Sequence, residues 1–393
     1  MFKKRGVHTE ETGFFARNKL AIAVTTLVGT VVGAGILGIP YVIAKTGFLY
    51  GALLIILIGL AYVFVNLFVG EIVLRTKKQH QLPGYAEKYL GKWGKSIMAI
   101  SVLIGAYGAL IAYLIGEGAT LYSIFGFGTP LLYSLIFFVV VFFIISKGVK
   151  ATGKAELILI SLLFLVIILI GFFSYDKIEM VNLSTLDISK ILIPYGVIIF
   201  AFLGLPSIPE MQEQLGKEKK KMKKAIILGS IIPIVLYLVF SLIIVGIIGL
   251  ENFEVLQPNE RIATVALSLY SHPILGIFAN LLAVLAMFTS FLTIGIAMTE
   301  IYEYDYGLRR IWALLLTFSL PLLIVLLNFT DFIAVLGLTG AIAGGLDGIL
   351  IILMYWKAKL LGDRKPEYSL SKHYVLGILL VLMFALGIIY QFF

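Results

Sequence analysis

The chain has 393 residues, of which 60% are hydrophobic, and its mean hydropathy is +1.04. This composition excludes a soluble multidomain protein and indicates an integral membrane protein of many helices. The net charge is +9, but the basic residues fall in short loops between apolar runs, so we expect no nucleic-acid partner. The chain has no cysteine, and its four histidines lie in tails, loops or span ends, which argues against an enzyme or an intramembrane histidine metal site.

Apolar runs predict eleven membrane spans in two groups of five with one addition. Residues 1–18 form a polar tail, residues 19–174 and 189–356 hold five spans each, and residues 373–392 form the eleventh. Lys and Arg are concentrated in the segments that follow the even-numbered spans, which places the amino terminus in the cytoplasm and the carboxyl terminus outside the cell. The expected spans are about 19–45, 48–75, 95–124, 130–146, 154–174, 189–215, 223–249, 274–301, 309–328, 331–356 and 373–392.

The first span contains Gly29, Gly33, Gly35 and Gly38. Each glycine weakens a helix interior by about 1 kcal/mol relative to alanine, and lipid cannot hydrogen-bond an opened turn. The pattern therefore predicts a helix that is broken near mid-membrane and faces protein, ion or ligand. The alternative is that the small residues only allow another helix to pack closely.

Two short helices are predicted outside the spans. The segment from Leu82 to Trp93 is aromatic and basic, which is typical of a helix lying at the inner membrane interface. Asn259 is expected to cap a second short helix that ends near Tyr270 on the outer side.

The sixth span contains a second break, at Gly204, Pro206 and Pro209. Ser207 followed by Glu210 forms a capping-box pattern, so a half-helix is expected to begin near Ser207. A plain proline kink is the alternative. Spans one and six open two five-span groups, and because five is odd the second group is inverted relative to the first, which is the pattern of a secondary transporter.

Two opened turns expose amide groups at the start of one half-helix and carbonyl groups at the end of another, which suits a zwitterion. No charged residue lies beside either break except Glu210, so we expect a neutral amino acid as substrate. Amides of Gly33, Ala34, Gly35 and Ile36 are assigned to its carboxylate, and carbonyls of Val31, Phe200, Ala201 and Leu203 to its ammonium group. Further lining is expected from Tyr107, Phe202, Gly204 and Ile208.

Residues 29–40, 107–114 and 200–210 resemble the amino acid/auxin permease family and its hydroxy/aromatic amino acid permease relatives. The resemblance implies an all-α membrane protein with the LeuT-type 5+5 inverted repeat of the amino acid-polyamine-organocation superfamily, plus an eleventh helix. It also implies rocking of spans 1, 2, 6 and 7 against spans 3, 4, 8 and 9.

A sodium ion is one candidate for coupling. Two adjacent hydroxyls in span eight, Thr289 and Ser290, and a carbonyl one turn earlier at Ala286 would supply the oxygen ligands that a hard cation prefers. The resemblance to sodium-coupled LeuT-type proteins implies carbonyls of Gly29 and Val32 as the remaining ligands. The alternative is that both hydroxyls bond to carbonyls of their own helix.

A proton is the rival coupling ion, because acidic residues within spans are expensive and usually functional. Asp347 in span ten is the first candidate for its carrier, with Glu117 and Glu210 next. Glu71 and Glu300 lie near inner span ends, where solvated or salt-bridged roles are expected.

The sequence thus predicts a monomeric symporter, in the lipid bilayer of the cell membrane, that moves neutral, aromatic or bulky apolar L-amino acids with Na⁺ or H⁺. No cofactor is implied beyond a candidate bound Na⁺. A sensor, an uncoupled exchanger or a channel with the same fold remains the alternative.

Overall fold

The computed structural model describes residues 18–147, 153–304 and 307–391, without side chains at 153–160 and 304. Most of the predicted cytoplasmic tail, residues 1–17, lies outside the described residues. Within them, six helices are long and apolar enough to cross a membrane, or seven if one bent pair counts as a single span, and three shorter helices are also apolar.

The described residues up to 173 form six α-helices. The first span is a pair that bends by 55° at residues 32–34, and this break confirms the interruption predicted there. The helix of span three bends at Gly91, where φ is 80°, so residues 82–90 form a separate segment as predicted for the interfacial helix. The helices are α1 (Lys19–Val31), α2 (Gly35–Thr46), α3 (Phe48–Arg75), α4 (Leu82–Phe125), α5 (Pro130–Ser146) and α6 (Gly153–Phe173).

The second half holds ten further helices. A π-helical turn at Gly340–Gly344 joins two of them into one span. Each of the eleven predicted spans falls on one helix or one broken helix, while the division into repeats at residues 174 and 189 stays a prediction. The helices are α7 (Met180–Leu183), α8 (Ile193–Ala201), α9 (Ser207–Leu215), α10 (Met222–Val255), α11 (Ala263–Tyr270), α12 (Pro273–Tyr304), α13 (Arg310–Leu327), α14 (Phe332–Thr339), α15 (Gly345–Leu361) and α16 (Tyr374–Tyr390).

The two broken pairs lie at the centre of the bundle. Helix α2 packs against α8 and α10, and α1 packs against α9 and α10. At the periphery, Leu57, Val139 and Ile378 are half-exposed apolar side chains of the kind that contact hydrocarbon. Burial at the centre and apolar exposure at the rim explain why these spans are hydrophobic on all sides.

Two predicted helix caps are wrong. Helix α9 begins at Ser207 as expected, but the Ser207 hydroxyl donates to the Gly204 carbonyl at 2.7 Å, so no capping box forms. Asn259 accepts from the Phe332 amide at 3.2 Å, the first amide of α14, whose N-cap is Asp331. The turn at 258–261 is capped instead by Gln257 with Glu260. A tertiary contact redirected Asn259, whereas Ser207 bonds locally to a carbonyl three residues before it.

Candidate substrate and ion site at the two helix breaks

The first break leaves three backbone donors available. Val32 has φ −85° and ψ 83°, which ends α1, and the Gly33 amide donates to the Val31 carbonyl at 3.1 Å. In the described part of the chain, the amides of Ala34, Gly35 and Ile36 make no hydrogen bond to the backbone. Such a cluster of donors at a helix start attracts an anion.

The two breaks contact each other at two glycines. A Cβ on Gly35 would lie 2.5 Å from the Ala201 Cα atom, and a Cβ on Gly204 would lie 2.4 Å from Val31 Cγ2. Only glycine fits at either position. The close approach of the two breaks therefore depends on these residues, so the close packing that the alternative interpretation proposed is one reason for glycine here.

Tyr237 of α10 joins the two breaks through their carbonyl groups. Its hydroxyl lies 2.9 Å from the Val31 oxygen and 2.7 Å from the Ala201 oxygen, and the side chain is fully buried. The ring packs 5.1 Å from that of Phe202. No sequence pattern predicted a role for Tyr237, whose only local signal is a phenol hydroxyl in the middle of an apolar span.

The structure brings most of the predicted substrate residues to this junction. Of the four carbonyls assigned to the ammonium group, those of Val31 and Ala201 converge on Tyr237, whereas that of Phe200 accepts from the Leu203 amide at 3.1 Å. Besides Val31 and Ala201, the buried members are Ala34, Gly35, Ile36, Phe200, Phe202, Gly204 and Ile208.

Tyr113 occupies the position beside the first break that Tyr107 was expected to hold. A Cβ on Gly33 would lie 3.5 Å from the Tyr113 hydroxyl. Tyr107 lies six residues, or about 9 Å along α4, from Tyr113. Its hydroxyl pairs with that of Tyr302 at 2.8 Å and lies 2.9 Å from the Leu316 carbonyl, so the structure does not place it at the breaks.

The predicted sodium ligands are only partly assembled. The Thr289 hydroxyl lies 3.1 Å from the Ala286 carbonyl and 3.2 Å from the Leu285 carbonyl of its own helix, as the alternative interpretation held. The Tyr113 and Ser290 hydroxyls both face Gly33, at 3.5 and 4.0 Å from where its Cβ would be. Gly29 lies inside the regular part of α1, and Val32 lies at the break. Among the described residues no group of three or more His, Cys or acidic side chains is placed to bind a metal.

Asp347 is buried next to the π-helical turn. The Ser101 hydroxyl donates to the Ala343 carbonyl of that turn at 2.9 Å. Within the described chain, one carboxyl oxygen of Asp347, Oδ1, has no partner. A Cβ on Gly344 would lie 3.0 Å from the Tyr62 hydroxyl and 3.2 Å from Leu203 Cδ2, so this turn packs against the second break.

The remaining acidic candidates differ sharply in environment. Glu117 of α4 is fully buried, and neither carboxylate oxygen has a hydrogen-bond partner among the residues described. Glu210 is exposed in the first turn of α9. Glu71 is buried in ion pairs with Arg75 at 2.8 Å and Lys359 at 2.5 Å, which confirms the salt-bridged role expected for it.

Comparison with known proteins places this geometry in context. The model of the tryptophan/tyrosine permease family matches residues 16–392. Tyrosine-specific transport system 1 of Haemophilus influenzae is 28% identical over 387 residues, which cover 93% of this chain and 94% of that protein. Glutamine transporter 2 of Aliivibrio fischeri is 29% identical over 336 residues, covering 82% and 85%.

A solved structure shows the fold. The crystal structure of MhsT in complex with L-phenylalanine matches with a TM-score of 0.65 at 19% identity and covers 96% of this chain and 98% of MhsT. The likeness confirms the predicted all-α membrane transporter fold of LeuT type. At that identity the comparison concerns the fold alone.

Proposed function

The chain belongs to the tryptophan/tyrosine permease family, and on that premise we propose that it imports a neutral, aromatic L-amino acid by alternating access, driven by a proton gradient. The amino acid/auxin permease label is corrected by the family match, although its aromatic amino acid permease relatives were of the right kind. The protein is a multi-pass membrane transporter and not an enzyme.

The observation that carries the proposal is the pairing of donors and acceptors at the breaks. Amides of Ala34 to Ile36 are available to a carboxylate, and the carbonyls of Val31 and Ala201 meet at one point, where an ammonium group would bind beside the Tyr237 hydroxyl. One small site thus offers both halves of what a zwitterion requires.

An aromatic side chain is favoured by the rings beside the second break. Phe202 stacks with Tyr62 at 6.2 Å between ring centroids and packs against Tyr237 at 5.1 Å. Such rings interact well with a further aromatic ring. The two similar proteins named above are a tyrosine and a glutamine transporter, so the substrate panel must include both classes.

The hydrogen bonding of the candidate ligands favours a proton over sodium as the coupling ion. The Thr289 hydroxyl is hydrogen-bonded to its own helix, and the Ser290 hydroxyl faces Gly33 together with that of Tyr113. In contrast, Asp347 and Glu117 bury carboxyl oxygens that lack partners within the described residues. An unpaired charge there would be costly, so these carboxyls hold protons readily.

The test is uptake of labelled Tyr, Trp, Phe and Gln into proteoliposomes under an imposed pH gradient, with an imposed sodium gradient as the comparison. We expect concentrative uptake of at least one aromatic amino acid when the outside is acidic. Accumulation under the sodium gradient alone would indicate that sodium is the coupling ion, with Gly29, Val32, Ala286, Thr289 and Ser290 as its candidate ligands. Uptake that only equilibrates would indicate an exchanger or channel, and binding without uptake would indicate a sensor.

A further inference from the structure

We infer that Glu117 couples proton binding to substrate binding. The ionised Glu117 carboxylate repels the substrate carboxylate from the first break, whereas the protonated carboxyl group allows the substrate carboxylate to bind there. The inference rests on the proposed function, because it concerns the same site. It singles out Glu117 over Asp347 as the carboxyl that senses the substrate.

Glu117 is completely buried, and among the described residues no hydrogen bond compensates for the burial of its carboxyl group. The residue is 0% exposed, and neither Oε1 nor Oε2 has a hydrogen-bond partner in the described part of the chain. Its neighbours along α4 are packed tightly: a Cβ on Gly116 would lie 2.8 Å from Met287 Sδ, and one on Gly118 would lie 2.0 Å from the Ser134 hydroxyl. The Thr120 hydroxyl donates to the Gly116 carbonyl at 2.6 Å.

Position links Glu117 to the free amides. Glu117 follows Tyr113 by four residues, so it lies on the same face of α4 and about 6 Å further along. The Tyr113 hydroxyl lies beside Gly33. From Gly33 the chain continues through Ala34, Gly35 and Ile36 into α2. Spans one and three run in the same direction, because one span separates them. Glu117 therefore lies beyond Tyr113 in the same direction along the bundle as the three amides lie beyond Gly33.

No cation neutralises Glu117 among the described residues. Arg261 donates to the carbonyls of Phe253 and Glu254, and Asp331 Oδ1 accepts from the Ala334 amide. The charges on α12 and α13 lie near Tyr302, whose partner Tyr107 is ten residues away along α4. Titratable groups on the elements packed against α4 are Tyr133, Glu260, Arg261, Tyr270, Glu300, Tyr302, Glu303, Arg310, Asp331, Asp347, Tyr355, Lys357 and Lys359.

Electrostatics then couple the two ligands. Two like charges about 10 Å apart in a protein interior repel enough to weaken binding by roughly tenfold. Substrate affinity is thus roughly tenfold higher for the protonated carboxyl than for the ionised one, and bound substrate strengthens proton binding by the same factor. Asp347 instead follows the π-helical turn at Gly344, where an added Cβ would lie 3.0 Å from the Tyr62 hydroxyl and 3.2 Å from Leu203 Cδ2 at the second break.

The experiment is equilibrium binding of labelled L-tyrosine to the purified full chain from pH 5 to pH 8, without a gradient. In that range the amino acid itself stays zwitterionic. We expect the Kd of the wild type to rise roughly tenfold towards pH 8. Glu117→Gln should bind at every pH as the wild type does at pH 5. Glu117→Asp and Asp347→Asn should each retain a pH-dependent Kd, and the matched control Glu87→Gln, which removes an exposed carboxylate of the same helix that pairs with Lys95, should behave as the wild type.

A pH-dependent Kd in Glu117→Gln, or a flat one in Asp347→Asn, would overturn the inference while leaving the proposed function intact. Failure of the wild type to bind any amino acid of the uptake panel would refute the proposed function itself. Should Glu117→Gln fail to fold, proton uptake by the wild type on adding L-tyrosine in weak buffer decides the matter. Uptake of protons supports the coupling, and its absence at every pH overturns it.

Discussion

The two helix breaks differ in which polar groups they leave available. At the first, made by glycines, the amides of Ala34 to Ile36 make no backbone hydrogen bond in the described chain. At the second, Pro206 has no amide proton, the Phe202 and Leu203 amides bond to carbonyls one turn earlier, and only the amides of Gly204 and Leu205 make no backbone hydrogen bond among the described residues. The first break therefore offers three consecutive donors with the Val31 carbonyl, whereas the second offers two, followed by a residue without an N–H group, and the Ala201 carbonyl. Glycine and proline both interrupt a helix, but only glycine keeps the N–H group.

The largest loss of function is expected when the two helix breaks are pushed apart. Gly35→Ala should place a Cβ 2.5 Å from the Ala201 backbone, so the helices must separate. We expect the free energy of unfolding to fall by about 1–3 kcal/mol, and uptake to fall about 100-fold because the binding groups are displaced. Uptake in proteoliposomes and thermal unfolding measure the two effects.

A matched control for this substitution is Gly105→Ala. There the new Cβ would lie 3.5 Å from the Ala343 side chain, an ordinary contact. Uptake should remain within about twofold of the wild type. Equal losses in both variants would mean that any extra methyl in the bundle is harmful, and that the contact between the breaks is not special.

A smaller effect is expected when only the bridge between the acceptors is removed. Tyr237→Phe keeps the ring against Phe202 and deletes the hydroxyl that meets both carbonyls. We expect KM for uptake to rise about tenfold, the equivalent of one hydrogen bond, with little change in maximal rate.

Tyr195→Phe is the control, since its hydroxyl donates to the Met383 carbonyl at 2.9 Å, away from the breaks. It should lose similar stability with no change in KM. An unchanged KM in Tyr237→Phe would show that the hydroxyl has no part in substrate binding.

The smallest effect concerns how the second break ends. Both the hydroxyl and the amide of Ser207 bond to the Gly204 carbonyl, at 2.7 and 3.1 Å. Ser207→Ala should therefore lower the free energy of unfolding by about 0.5–1 kcal/mol and leave uptake unchanged. Ser184→Ala, which removes an exposed bond to the Val181 carbonyl, should have almost no effect. A loss of transport in Ser207→Ala would indicate that this hydroxyl meets the substrate.

Much of the fold was predictable because glycine, proline and apolar length act locally. The breaks at Gly33 and at Pro206 followed from backbone chemistry alone. Partners from distant parts of the chain did not: Tyr237 is 206 residues from Val31, and no local pattern records that contact. The choice of Tyr107 over Tyr113 failed for a related reason, because the rotation of a helix that is apolar all round is set by its neighbours.

The phenol bridge leaves the resting junction short of one donor. A single hydrogen serves two buried carbonyls, and because Val31 also accepts from the Gly33 amide at 3.1 Å, the Ala201 carbonyl lacks a partner whenever the hydrogen turns to Val31. A buried polar group without a partner costs about 1–3 kcal/mol. An arriving ammonium group brings three hydrogens and removes that deficit. The empty site is thus held in a mildly frustrated state, and relief of this frustration adds to the affinity for any molecule that carries a primary amine.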